Sequence, residues 1–290
     1  LDDDGDGYSN GDETLNGTNP CSAASKPNDF DSDLLSDRYD PDDDNDGIND
    51  INDKFALDIV NGLNTSIPLD YPFLNGNPGF GLFGVGHTGL MTNLVNNYAD
   101  NFDLLDPGLI VGGAVGALSV PAQPGDAVTN DQKYAFQFGI PIDASIETFT
   151  LRSRILGAPF FNGASGGQLG TQSQGIYFGT GDQNNYLKLV LHANNANPGF
   201  QILCEENGVV VNQQMIPVPG ILSVSQMDLF IEVDVLTGLV TCSYQTPGNA
   251  NPVDVGQGFT VSGILIDLLQ DNNNAVAIGL IASSGNKDPF

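Results

Sequence analysis

Residues 182–192 read Asp182-Gln183-Asn184-Asn185-Tyr186-Leu187-Lys188-Leu189-Val190-Leu191-His192: four polar residues, then a run in which leucine returns at every second position. A period of two marks a half-buried strand, because successive side chains of a pleated chain point to opposite faces. The pattern turns Leu187, Leu189 and Leu191 toward a core. It turns Tyr186, Lys188 and His192 outward, with Asp182 to Asn185 as the turn that leads in. The same period recurs on both sides. Tyr134, Phe136 and Phe138 alternate with Ala135 and Gln137, Phe149, Leu151 and Ile155 with Thr150, Arg152 and Arg154, and Leu229, Ile231 and Val233 with Phe230, Glu232 and Asp234. Turn residues separate further runs at Asn207-Gly208 and Leu236-Thr237-Gly238, and one short helix is expected from Ile264 to Leu269. Eight or more strands, little helix and about 220 residues predict a mostly β domain, an antiparallel jelly-roll β-sandwich over 73–290.

The chain before this domain is of another kind. Eighteen of the thirty-six Asp and Glu residues lie in the first 60 positions, and the formal net charge is −28. Residues 42–53 read DDDNDGINDIND. Asp42, Asp44 and Asp46 stand at positions 1, 3 and 5 of a twelve-residue calcium loop. Gly47 takes the sharp turn at 6, Ile48 offers its carbonyl at 7, and Asp50 and Asp53 fill 9 and 12. The template fits again at Asp2, Asp4, Asp6, Gly7, Tyr8, Asn10 and Glu13. Between these two lies a further copy, Asp29, Asp31, Asp33, Asp37 and Asp40, which carries Leu34 where the glycine should be. Carboxylates so crowded repel one another unless a divalent cation sits among them. The expected cofactor is Ca2+, about three or more ions. A solvated acidic tail is the plain alternative, and three matches in phase speak against it.

The flanks, Asn16-Gly17-Thr18-Asn19-Pro20 and Lys26-Pro27-Asn28, are turn sequences, so no helices are expected around the loops. Asp-rich loops joined by such turns, two of them 13 residues apart, resemble thrombospondin type 3 repeats in their bacterial form. The resemblance covers about Asp2 to Asp58 and implies a chain with almost no apolar core, wound around calcium. Gln174 to Leu189, with Phe149 to Arg154 upstream, resembles the concanavalin A-like or laminin G-like sandwiches of large secreted bacterial proteins. This resemblance implies a lectin-type module, often found beside carbohydrate-active or adhesive domains. Some glycosidases on that sandwich place their carboxylates as Glu-x-Asp-x-x-Glu, whereas Glu232-Val233-Asp234 is followed by Thr237 in the last position. With one carboxylate missing, the expectation is that the chain is not an enzyme. Glu232 and Asp234 are expected to pair instead with Arg152 and Arg154 across strands.

Three segments follow: calcium repeats over 1–58, a linker over 59–72 and the sandwich over 73–290. Phe55 and Leu57 are the expected anchors between repeats and sandwich. A surface of Tyr186, Lys188, His192, Arg152 and Arg154, with Asp182, Gln183, Asn184 and Asn185 at its end, offers an aromatic ring and hydrogen-bonding groups for a sugar. The expected function is a calcium-binding, carbohydrate-binding adhesion module of a larger secreted or cell-surface protein; the alternative is a structural spacer that binds protein partners. Expected partners are calcium, glycans or other cell-surface ligands, and neighbouring domains. Eight Lys and Arg residues make nucleic acid a poor partner, and no apolar run is long enough for a membrane span. Calcium at millimolar levels points outside the cell. The chain opens inside the first repeat, as a piece of a longer protein would. Cys21, Cys204 and Cys242 make no disulfide framework, although Cys204 and Cys242 could pair if their strands are neighbours. Gly79 to Gly84 matches a dinucleotide-loop pattern and Gly163 to Gly167 a nucleophile-elbow pattern, both without the strand and helix each requires.

Overall fold

The alternating runs form strands, and every neighbouring pair within the two sheets is antiparallel. The computed structural model describes residues 1–70, 86–92, 125–156 and 170–285. The two glycine motifs just named, and the stretch 71–85 where the sandwich was expected to begin, lie outside the described residues. The strands are β1 (Gly89–Leu90), β2 (Tyr134–Pro141), β3 (Thr148–Leu156), β4 (Ser173–Gly179), β5 (Tyr186–His192), β6 (Gly199–Glu206), β7 (Val209–Pro217), β8 (Gln226–Asp234), β9 (Leu239–Gln245), β10 (Val253–Thr260) and β11 (Ala275–Ser283). One sheet has the order β1-β2-β11-β4-β5-β6-β7, the other β10-β9-β8-β3. The fold is a mostly β, antiparallel sandwich, as the periodicity requires.

Leu187, Leu189 and Leu191 face the space between the sheets. There they join Phe178, Phe200 and Ile202 from the large sheet and Leu229, Ile231, Val233 and Val240 from the small one. Asn207 and Gly208 both take left-handed backbone (φ 53 and 69), the geometry of a tight hairpin turn between β6 and β7. The open edge between β7 and β10 is stitched by Gln214. Its Nε2 donates to the Gln257 carbonyl at 2.9 Å and its Oε1 accepts the Gln257 N–H at 2.8 Å. The expected helix is present as Gly263–Gln270. Cys204 and Cys242 are free and buried, on strands of different sheets, so they do not pair. Burial pushes both thiols up to about 12.

The acidic segment departs from expectation in one respect: a short helix, α1 (Asn10–Asn16), begins at position 9 of the first loop and runs beyond it. Ser9 caps it by accepting the Asp12 N–H at 3.1 Å, and Gly17 ends it in left-handed backbone. These are ordinary start and stop signals, outweighed in the sequence by the turn residues beyond them. The segment packs on the sandwich. Phe55 and Leu57 are buried, and Phe55 packs with Ala275 and Ala277 of β11. Leu57 N–H donates to the Thr88 carbonyl at 2.9 Å. Gln137, fully buried on β2, donates its Nε2 to the Lys54 carbonyl at 2.7 Å and accepts the Tyr177 hydroxyl at 2.8 Å. A side chain at Gly89 would start 2.1 Å from the Lys54 carbonyl oxygen, so the approach demands glycine there.

Candidate functional site

Each acidic loop is built by the same backbone-to-carboxylate bonds. At position 1, Asp2 accepts the N–H groups of Gly5 (2.7 Å) and Gly7 (3.2 Å), and Asp29 those of Ser32 (2.7 Å) and Leu34 (3.0 Å). Asp42 accepts that of Gly47 at 3.0 Å. At position 3, Asp4, Asp31 and Asp44 each take the N–H two residues on, at 3.3, 3.0 and 3.1 Å. At position 5, Asp6, Asp33 and Asp46 do the same at 3.0, 2.7 and 2.7 Å. Position 9 reaches back to position 2: Asn10 accepts from Asp3, Asp37 from Phe30 and Asp50 from Asp43, at 2.9, 2.8 and 2.9 Å. Positive φ falls at position 4 (Gly5, Ser32, Asn45) and at position 6 (Gly7 107, Leu34 78, Gly47 94). Leu34 therefore adopts the turn that glycine makes in the other two loops, and the second copy keeps the shape.

At positions 3 and 5 these bonds occupy one oxygen of each carboxylate, whereas Asp2 and Asp29 at position 1 accept backbone N–H groups on both. In each loop the first three aspartates bring oxygens within 4.8 Å of one another: Asp2, Asp4, Asp6; Asp29, Asp31, Asp33; Asp42, Asp44, Asp46. Asp4 Oδ2, Asp6 Oδ2, Asp42 Oδ1, Asp53 Oδ2 and both oxygens of Glu13 are buried without a hydrogen-bond partner. Burying an ionised oxygen uncompensated costs several kcal/mol. Burial, with repulsion from neighbouring aspartates, pushes the Asp44 carboxyl up to about 6 and those of Asp50 and Asp53 up to about 7. An all-oxygen, hard, anionic donor set fits calcium; the carbonyls of Tyr8 and Ile48 and the side chains at positions 9 and 12, including Asp37 and Asp40, are the groups that would complete its shell. The loops are also tied together in ways the spacing does not reveal. The Tyr8 hydroxyl donates to Asp29, Asn45 Nδ2 donates to Asp31, and Asp44 Oδ2 accepts the Asp58 N–H at 2.8 Å.

The expected sugar surface is not assembled. Tyr186, Lys188 and His192 do share one face of β5, but that face is covered: Tyr186 is fully buried, Lys188 2% and His192 8% exposed. Met91, Ala127, Ala135, Tyr177, Leu203 and Ile281 form a second apolar cluster there with Tyr186 and Val190. At β5 and β6 the large sheet is thus buried on both sides, which alternation within a single strand cannot disclose. Lys188 Nζ pairs with Asp126 at 3.1 Å, and the Tyr186 hydroxyl donates to Glu205 at 3.2 Å. His192 Nδ1 accepts the Asn194 N–H at 2.9 Å, and burial pushes the ring down to about 4. The turn is likewise committed to structure. Asp182 accepts the Asn184 N–H at 2.9 Å and lies 3.8 Å from Lys54 Nζ, Asn185 Nδ2 donates to Asp182, and Gln183 is buried against the Met91 and Gln132 carbonyls.

Arg152 and Arg154 lie on β3 of the other sheet, so they cannot join that face. Their expected partners are also corrected. The register sets Arg154 opposite Asp228, Arg152 opposite Phe230 and Thr150 opposite Glu232. Arg152 Nη2 donates to Asp228 Oδ2 at 2.7 Å; Arg154 donates through Nε and Nη2 at 2.6 and 3.0 Å. Asp234 instead accepts the Thr237 N–H at 2.8 Å and closes a turn. Beside the two arginines a groove of about 250 Å³ opens, lined also by Gln226, Gln245 and Asn249.

No protein-family model matches the chain, and no curated protein matches it in sequence. Solved structures resemble it in fold. A xylan β-1,4-xylosidase from Bacillus halodurans is 14% identical, with a TM-score of 0.43 over 60% of this chain and 31% of the other. A Bacteroides ovatus xyloglucan GH43B protein is 15% identical, with a TM-score of 0.43 over 60% of this chain and 30% of the other. The chain thus spans about a third of the length of these two hydrolases. Arcelin-5, a lectin-like defence protein from Phaseolus vulgaris, is 13% identical, with a TM-score of 0.39 over 62% of this chain and 82% of its own. The expectation of a chain without enzymatic activity is corrected by the first two, since glycoside hydrolases stand beside lectins among the structures it resembles.

Proposed function

We propose that residues 1–58 are a calcium-binding segment of the thrombospondin type 3 kind, docked on a lectin-like sandwich within a larger secreted or cell-surface protein. One observation carries this reading: three loops in phase each gather carboxylate oxygens within 4.8 Å of one another, and the first and last of them leave several such oxygens buried and unpartnered. Calcium stands in for the missing partners, which is why an extracellular setting, where the ion is plentiful, suits the chain. Calorimetric titration of the chelator-stripped protein with calcium is expected to give about three sites, with magnesium a weak competitor because it gives up water reluctantly. Absence of binding at millimolar calcium would overturn the reading.

A second reading is favoured by the groove beside Arg152 and Arg154. The small sheet turns its outer face to solvent, and polar side chains line an opening there, as a sugar-binding module requires. Glycans, neighbouring domains and other cell-surface ligands are the partners that this reading supplies. A glycan array probed with the calcium-loaded protein tests it; silence across the array leaves the chain a calcium-stiffened spacer.

A further inference from the structure

The chain carries eight Lys and Arg residues against thirty-six Asp and Glu, so two cations sharing one anion are an anomaly. Arg152 and Arg154 both bond to Asp228, whose side chain is 8% exposed, while their own side chains remain 57% and 50% exposed. Three donor bonds are used there, and a guanidinium has five N–H groups. One positive charge is left over at the mouth of the groove, with unused donors facing solvent. By contrast, Lys54 with Asp182 and Lys188 with Asp126 are one-to-one pairs.

The geometry points to a binding site for a carboxylate-bearing sugar, the uronate unit of an acidic polysaccharide, and we propose this as the ligand of the groove. It rests on the carbohydrate reading above and narrows it. Asp228 holds the two guanidinium planes at a fixed spacing, so the second fork needed to grip a carboxylate is ordered before the ligand arrives. Gln226 and Asn249 bring amides that both donate and accept, which suits sugar hydroxyls, while Gln245, its Nε2 held by the Asn249 and Ala250 carbonyls, brings an acceptor oxygen. Phe230, on the same face and half-buried, carries Arg152 5.8 Å above its ring and presents an apolar platform beside the charges. Glu232 and Asp234 farther along β8, and Asp254 on β10, share that face; Glu232, four residues beyond Asp228, lies opposite Thr150 and Thr241.

The test uses the calcium-loaded chain, with tetragalacturonate, its methyl ester and neutral xylotetraose as probes in calorimetry. The acid is expected to bind and to weaken with added salt, with the ester and the neutral sugar at least about tenfold weaker, the size of one charge-assisted contact. Arg152→Gln should weaken acid binding by a similar factor. Asp228→Asn, which frees a second positive charge, should strengthen it; circular dichroism checks that both variants fold. Equal binding of acid, ester and neutral sugar would overturn the proposal and leave the carbohydrate reading standing. No binding of any probe would sink both. Acid binding unchanged in both variants would move the uronate to the calcium loops and overturn the assignment to the groove.

Discussion

At Gly47 the backbone stands at φ 94, and a Cβ built there meets nothing within 4 Å. Gly47→Ala therefore introduces backbone strain without a clash. The left-handed region costs a residue with a Cβ roughly 1–2 kcal/mol, so calcium affinity of the third loop is expected to fall about tenfold, measured by titration of the variant. Leu34 already carries that strain in the second loop, at φ 78, and Leu34→Gly should tighten it. The gain should be smaller, because Leu34 also packs over Gly7 of the first loop, its Cδ2 3.1 Å from where a Cβ would sit. The twelve-residue spacing was legible at this scale because the bonds that shape each loop run between residues at most seven apart. The ties between loops, Tyr8 to Asp29 and Asn45 to Asp31, were not, since nothing local to either residue marks its partner.

The element that joins the two parts of the molecule is the short stretch from Lys54 to Leu57. It lies against β1, β2 and β11, with Phe55 filling a small apolar site beside Ala275 and Ala277 and the Lys54 carbonyl held by Gln137. Truncating a buried phenylalanine costs about 3 kcal/mol or more. Phe55→Ala is expected to leave the sandwich folded while the calcium-loaded acidic segment swings away. Small-angle scattering would report a larger radius and protease a new cut near residue 58; an unchanged profile would mean that Phe55 does not hold the junction. That Phe55 and Leu57 are anchors was readable, as the first apolar pair after the last loop. Gln137 as the polar clasp was not, because a glutamine in an alternating strand reads as solvent-facing.

Across the whole molecule, charge sets the response to pH. The Asp44, Asp50 and Asp53 carboxyls stand at about 6, 7 and 7 in the calcium-free fold, against about 3.9 in an unfolded chain. The folded state then holds more protons than the unfolded one. Without calcium, these groups contribute stability that is present in full below about pH 4 and lost as pH rises through 6 to 7. Calcium takes the place of the same protons, so the sign reverses when it is bound: affinity should fall as pH drops from 8 toward 5.5. Titrations at pH 8, 7 and 6 check this, and affinity independent of pH would contradict it. The sequence by itself determined the shape of the acidic loops and the strand periodicity of the sandwich, since both depend on neighbours a few positions away. Only the tertiary structure decided which strand faces meet water. The outer face of β5 is closed by Asp126 and Ala127, some sixty residues earlier, and Arg152 finds Asp228 at a separation of 76. Packing of a second layer and the register between β3 and β8 are properties of the assembled chain. A period of two leaves both open, because it says that two faces differ without saying what covers either.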